Sequence, residues 1–302
     1  MADDLDKRKD GEQPDWGEEP QRRESEDGTI IEIFDSIDEF FRICDRRERN
    51  SWCSERSSAR NKSYSGDSDF CNQKYEETRD EAIHGNDETA AELGQKIIDA
   101  DKLFGWDKKP MKKAKLDVIG SHPSVPRALM NLPKSMYHRE VGITKGKVIN
   151  IVYDISVNCG ISVEQQKKKG AEVVSVLKQL EDLGYRVRLD IMGAFTSSRV
   201  TYGCRVKVKS EWNALNLKRI GALCMNANVQ RRLWFDWYER CPGARELSGY
   251  GYPLMNERDA REKFKKEFCA SNEYFVTYGD DLKELFKEQL SLDKIDKDER
   301  GR

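Results

Sequence analysis

Three oxygen-bearing side chains stand at alternate positions just past an apolar run. Asp154, Ser156 and Asn158 follow Val148-Ile149-Asn150-Ile151-Val152-Tyr153. A run of that length, rich in β-branched residues, reads as a strand buried on both faces. Open parallel sheets bind ligands at the carboxyl ends of their strands, where loops leave the sheet and helix N-termini carry partial positive charge. The same Asp and Ser serve equally well as caps for the loop and helix that follow. A second group is basic. Arg205, Lys207 and Lys209 alternate with Cys204, Val206 and Val208, so their charges fall on one strand face. With Arg231 and Arg232 beside the aromatic cluster Leu233-Trp234-Phe235-Asp236-Trp237-Tyr238, this stripe has the chemistry to track phosphates and stack on bases. The plainer readings are an edge strand guarded by lysines and a helix packing its rings on a sheet.

Several catalytic templates fail. Gly142-Ile143-Thr144-Lys145-Gly146-Lys147-Val148 is one residue short of a phosphate loop, has Val where a hydroxyl must hold magnesium, and precedes its strand instead of following it. No nucleophile elbow, H-E-x-x-H or G-x-G-x-x-G is present. The eight cysteines include no C-x-x-C pair, and the spacing of His84, His122 and His138 makes no metal site. Scattered cysteines of this kind read as buried, idle thiols. An enzyme is the less favoured class.

The elements that must position these residues lie mainly in the C-terminal half. Ser162-x-x-Gln165 has the form of a capping box, and Ala171, Val174, Leu177, Leu180 and Leu183 keep helical spacing up to Gly184. Tyr185, Val187, Leu189 and Ile191 then alternate with charged residues, completing strand, helix and strand in about 45 residues, the length of a right-handed parallel crossover. Val200 to Val208 reads as another strand, Trp212 to Tyr238 as a helical region, Tyr274 to Tyr278 as a last strand and Asp280 to Leu290 as a last helix. With 36% of its 302 residues charged and 37% apolar, the chain must leave parts unpacked. The expected organisation is a disordered acidic tail over 1–28 and an N-terminal α+β region over 29–140. That region carries a polar loop at 46–69 and a proline-rich turn at 120–136. An α/β domain with a largely parallel sheet flanked by helices follows over 147–290, and a polar tail over 291–302. The acidic start carries no secretory signal, and no apolar run reaches membrane-spanning length, so a cytoplasmic protein with no membrane partner is expected.

Asp154-x-Ser156-x-Asn158 resembles the D-x-S-x-S motif that ends the first strand of von Willebrand factor A-type domains, with Asn158 in place of the second serine. The likeness spans roughly Lys147 to Leu290. It implies a Rossmann-like fold and a divalent cation, Mg²⁺ or Ca²⁺, held by oxygen ligands. It also implies a later aspartate, a part that Asp280 or Asp281 takes after Val276-Thr277-Tyr278, and a hydroxyl from Thr196 or Thr201. Gly120, Pro123, Val125, Pro126, Pro133 and Met136 carry a pattern similar to an uncharacterised group of phage and prophage proteins, which implies a bacterial host cell. The expected function is a non-enzymatic protein of a phage or mobile element. It would contact a partner protein through the upper sheet edge, with a cation or as an adaptor to an AAA-type ATPase. The alternatives are a nucleic-acid-binding accessory protein using the basic stripe, and a metal-dependent hydrolase built on Asp154 and Asp280.

Overall fold

The computed structural model describes residues 19–61, 72–104, 115–118, 122–130, 132–138, 148–158, 160–197, 200–247, 250, 252–254, 258–287 and 289. In chain order, β1 (Gln21–Glu24) and β2 (Ile30–Phe34) form a hairpin that leads into α1 (Ile37–Arg46). Ser36 starts that helix by accepting the Glu39 N–H at 3.1 Å, while the Glu39 carboxylate accepts the Asp35 N–H at 2.6 Å. Next come α2 (Tyr75–His84) and α3 (Asp87–Phe104). The proline-rich stretch holds only short pieces, namely β3 (Lys115–Asp117), β4 (His122–Pro123), α4 (Val125–Leu129) and β5 (Met136–His138). They make a small sheet of order β3-β5-β4, as expected where prolines deny long ladders their N–H donors.

The expected crossover is present. β6 (Val148–Asp154) leads into α5 (Val163–Asp182), whose capping box forms with Ser162 and Gln165 exchanging bonds at 3.2 and 2.9 Å. Gly184, at φ +89°, then turns the chain into β7 (Arg186–Ser197), parallel to β6 from Val148↔Arg186 to Asp154↔Met192. After β8 (Val200–Lys209) come α6 (Leu217–Met225), a π-helical turn at Val229–Trp234, α7 (Phe235–Arg240) and β9 (Tyr252–Pro253). The chain then forms α8 (Arg258–Phe268), β10 (Glu273–Val276) and α9 (Leu282–Leu285).

These strands make one sheet of order β1-β2-β8-β7-β6-β10, with β9 alongside the far end of β7. The protein is therefore a mixed α/β structure with a central sheet flanked by helices. The sheet is not largely parallel. β2 with β8, β6 with β7 and β6 with β10 run parallel, whereas β1 with β2, β7 with β8 and β7 with β9 run antiparallel. The reason is that only 198–199 separate β7 from β8, far too few residues for a parallel crossover.

Strand alternation divides the core into two. One face carries Ile30, Phe34, Ile151, Tyr153, Ile191, Cys204, Val206 and Val276, covered by α1 to α3 and α5 to α7. The other carries Ile31, Val152, Met192, Ala194 and Phe275, covered by Phe264 and Phe268 of α8. The N-terminal region does not keep a core to itself, since β2 is a strand of the central sheet and its Ile30 and Phe34 share a cluster with Ile149 and Val206. The expected acidic tail also shortens, because Gln21–Glu24 pairs with Ile30–Ile33; residues 1–18 and the tail from 291 lie outside the described residues. Residues 46–61 of the polar loop are tied down. Asn50 and Trp52 donate to the carbonyls of Cys241 and Ala244, and Arg60 grips Asp236 through two bonds of 2.8 Å. The rest of that loop, 62–69, lies outside the described residues. The helical region expected over Trp212 to Tyr238 is split as well. Asn216 accepts the Arg219 N–H and so starts α6 late, Asn226 is extended, and Trp212 stands in a turn at 70% exposure.

Candidate functional site

The carboxyl ends of β6 and β10 lie side by side, with Tyr153 opposite Val276, so Asp154 and Thr277 are the next pair along. The crossover helix α5 leaves β6 over the first sheet face, while α8 enters β10 from the second. The connections part to opposite faces here, the position where open α/β sheets take ligands. On its other side β7 runs past the end of β6 and pairs with β9 at Phe195 and Thr196, which raises a wall beside these strand ends.

Asp154 is 1% exposed. Its Oδ1 accepts the Ser156 N–H at 2.9 Å, and the Ser156 hydroxyl also bonds the carboxyl group. Its Oδ2 has no hydrogen-bond partner. Burial pushes the Asp154 pKa up to about 7 against those bonds, with Arg261 lowering it and Asp280 raising it. Ser156 Oγ in turn accepts the Ala194 N–H at 2.8 Å and so ties this loop to β7. Asn158 Oδ1 turns back to accept the Gly160 N–H at 2.9 Å, and the Val157 backbone is held at both polar groups by Gln230 of the π-helical turn.

On the neighbouring strand, Asp280 is pinned over the end of β10. Its Oδ2 accepts from the N–H and the hydroxyl of Thr277 at 2.7 and 2.9 Å, and both of its carboxylate oxygens take Arg261 Nη2, at 2.6 and 2.8 Å. Burial alone would raise the Asp280 pKa, but these donors hold it below the usual carboxylate range. Lys169, 6% exposed on α5, donates to the Asp280 carbonyl at 2.5 Å and lies 3.7 Å from Glu172. Burial lowers its pKa, with Glu172 opposing. Asp281 serves as the cap of α9, accepting the N–H groups of Lys283 and Glu284. Thr196 and Thr201 bond each other at 3.1 Å on the β7–β8 hairpin.

The ends of β6 and β10 thus set Asp154 and Ser156 beside the Thr277–Asp280 turn, which Lys169 and Arg261 bond. A divalent cation does not fit the set as it stands. The positive charge beside Asp280 is already supplied by Arg261, Asn158 Oδ1 faces a backbone donor, and no group of three His, Cys, Asp or Glu side chains among the described residues could hold an ion. Gln166 and Lys169 were legible in principle. They fall on the stripe that Val173, Leu177 and Leu180 bury, where polar residues break the apolar pattern. Arg261 carried no local signal within a helix as charged as α8.

The basic stripe dissolves into internal pairs. β8 is an interior strand between β2 and β7, so its lysines do not guard an edge. Arg205 is 4% exposed and bonds Asp190 at 2.6 Å and Glu273 at 3.0 Å. Lys209 is buried against the Val187 carbonyl at 2.8 Å and Glu181 at 2.6 Å, and Lys207 pairs with Asp35 at 2.5 Å. Arg232 donates to the carbonyls of Gln73 and Ala59, and Arg231 lies over the Phe235 ring at 5.4 Å. The aromatic cluster is core: Trp234 stacks on Phe40 at 5.4 Å, and Trp237 donates to Glu32 at 2.8 Å. The six cysteines among the described residues are free thiols, and burial pushes Cys53 up to about 11 and Cys224 up to about 12.

Fold and crest together define a mixed α/β protein with a buried polar crest at the point where its crossovers part. Over residues 19–292 the chain matches the family described as Domain of unknown function (DUF7192), and it belongs to that family. No curated protein and no solved structure matches it. No helix among the described residues is long and apolar enough to cross a membrane.

Proposed function

We propose that the chain is a non-enzymatic binding protein of phage or mobile-element origin that docks a partner protein on the crest formed by 154–158 and 277–281. The observation that carries this reading is Asp154 Oδ2, a buried carboxylate oxygen left without a partner in an otherwise hydrogen-bonded crest. Such an atom costs about 1–3 kcal/mol, and a hydrogen-bonding group that reaches it as the crest opens on docking recovers part of that. An AAA-type ATPase is one partner the A-type likeness implies. A hydrolase reading lacks support in the geometry, because Asp154 and Asp280 are each held by their own loop, and among the described residues no nucleophile or base is seen aligned between them.

A photo-crosslinking residue placed at Tyr278, beside the crest, tests the reading in the native host. Position 212, on the opposite sheet edge where Trp212 stacks on Arg186, is the control. One specific protein should be captured from position 278 and not from 212, and Asp154→Ala should abolish capture while the variant still unfolds cooperatively. Capture that ignores Asp154, or that occurs equally from both edges, refutes the proposal.

A further inference from the structure

The second sheet face is closed only in part. Phe264 and Phe268 of α8 pack on Ile31, Val152, Met192 and Ala194. Alternation and register carry the same face on to Ile33, Lys207, Arg188 and Arg186, and to Val148 on β6. There it lies open. Ile33, Lys207, Arg188 and Arg186 are half-buried, Val148 is 37% exposed, and Trp212, 70% exposed, stacks on Arg186 at 4.0 Å. Strands paired in parallel, as β6 and β7 are, are normally covered on both faces.

The open part presents positive charge. Arg188 and Arg205 hold Asp190, buried beneath them, at 2.8 and 2.6 Å, and Arg205 also holds Glu273 at 3.0 Å. Lys207 reaches Asp35 at 2.5 Å, and Arg186 has no carboxylate partner among the described residues. Residues 1–18 carry the opposite charge, seven acids against three basic residues, with Trp16 as their largest apolar side chain. None of the other long stretches outside the described residues is strongly acidic: 105–114 and 139–147 are basic, and 62–71 and 291–302 are nearly balanced.

The acidic segment also starts in the right place. Gln21 pairs with Ile33 on the edge of this face, and β1 runs antiparallel to β2, so the chain before Gln21 heads for the level of Asp35 and Lys207. Glu19 ties it at that edge to Arg47 at 3.0 Å. From β1 to β6 is four strand spacings, about 19 Å at about 4.8 Å each, whereas 18 extended residues reach about 60 Å. We infer that residues 1–18 fold back over the open part of the second sheet face, setting their carboxylates among Arg186, Arg188 and Lys207 and Trp16 against Val148 and Trp212. The contact lies at the amino end of β6, away from the crest proposed for docking, and stands without that proposal.

The test is p-benzoyl-phenylalanine at position 16 of the full chain, irradiated at low salt, with the adducts mapped by mass spectrometry. They should lie within one chain, in 148–150, 186–188 or 207–212. Arg186→Glu combined with Lys207→Glu takes no partner from a buried acid and should lower the yield at least about fivefold. So should about 0.5 M NaCl on the parent, where the Debye length falls to about 4 Å. Where the double variant fails to fold, the salt series decides. The inference is overturned by adducts elsewhere in the chain, by adducts that join two chains, or by none at all. A yield that ignores salt, or ignores charge reversal in a folded variant, overturns it as well.

Discussion

Replacing Asp154 by asparagine should change how stability depends on pH, by an amount set by the burial of its carboxyl group. Asp154 is raised from the ordinary aspartate value of 3.8 to about 7 in the folded chain. The folded state therefore holds a proton that the unfolded state releases. The stability this lends is complete below about pH 4 and is lost as the pH climbs through 7. Three pKa units correspond to about 4 kcal/mol over the whole range, and the part falling between pH 5 and pH 8 is about 2–3 kcal/mol. The D154N variant has no proton to lose. Its amide still offers an oxygen to the Ser156 N–H, and its nitrogen replaces the unpartnered Oδ2.

The measurement is urea unfolding of both proteins from pH 5 to pH 8. Other titrating groups act on both proteins, so the difference between the two curves isolates position 154. Its charged neighbours, Arg261 and Asp280, pull in opposite directions. The variant should gain about 2–3 kcal/mol on the parent across that interval, a relative rise in Tm of about 5 °C for a chain of this size. Parallel curves would refute the claim that the carboxyl is buried and protonated at the crest. A gain of opposite sign would mean that the ionised form is the one the crest stabilises.

Other substitutions probe the frame, each read by urea unfolding. Gly193→Ala places a methyl group 2.2 Å from Trp234 Cδ1, in a ring fixed by its bond to the Cys204 carbonyl, and should cost about 3 kcal/mol. Arg205→Ala leaves Asp190 to Arg188 but takes the arginine from Glu273 and should cost about 3 kcal/mol, whereas Lys207→Ala, in the same stripe but paired with the exposed Asp35, should cost less than about 1 kcal/mol. Neither variant should alter retention on nucleic acid at low salt. Trp237→Phe removes the indole donor from buried Glu32, which keeps Arg47, and should cost about 1–3 kcal/mol.

The crossover from β6 through α5 to β7 was legible because each of its signals is local: an apolar run, a capping box, a glycine stop and an alternating strand. The antiparallel turn to β8 was not. Met192-Gly193-Ala194 breaks the β-branched pattern, and the reason for the break lies 41 positions further on, where Trp234 packs on the bare Gly193 backbone. The charged stripe shows a similar limit. Alternation at Arg205, Lys207 and Lys209 divides two faces but does not say which meets water, and the carboxylates that answer them come from β7, α5, β10 and the turn after β2. At the crest, Asp154, Ser156 and Asp280 were readable from their places after two strands. Arg261 was not, because the residue that matters there is a charge brought from the opposite sheet face.

That contrast bears on where the protein meets its partner. Its 53 basic and 55 acidic residues nearly cancel, and buried acids are matched by arginines: Asp190 and Glu273 with Arg205, Asp236 with Arg60 and Arg240, Glu32 with Arg47. A network so complete offers little to a ligand, since each group already has its partner. The unmatched atoms fall elsewhere. Of the four buried side-chain atoms without a hydrogen bond among the described residues, Asp154 Oδ2, Gln166 Oε1 and Arg261 Nε belong to the β6–β10 crest and the helices that flank it. With its proton Asp154 Oδ2 is a donor like Arg261 Nε, whereas Gln166 Oε1 is an acceptor, so a complementary group would bring acceptors to Asp154 and Arg261 and a donor to Gln166. A partner segment with an amide or hydroxyl next to a carbonyl meets that pattern, while a phosphate or a bare metal ion meets only half of it.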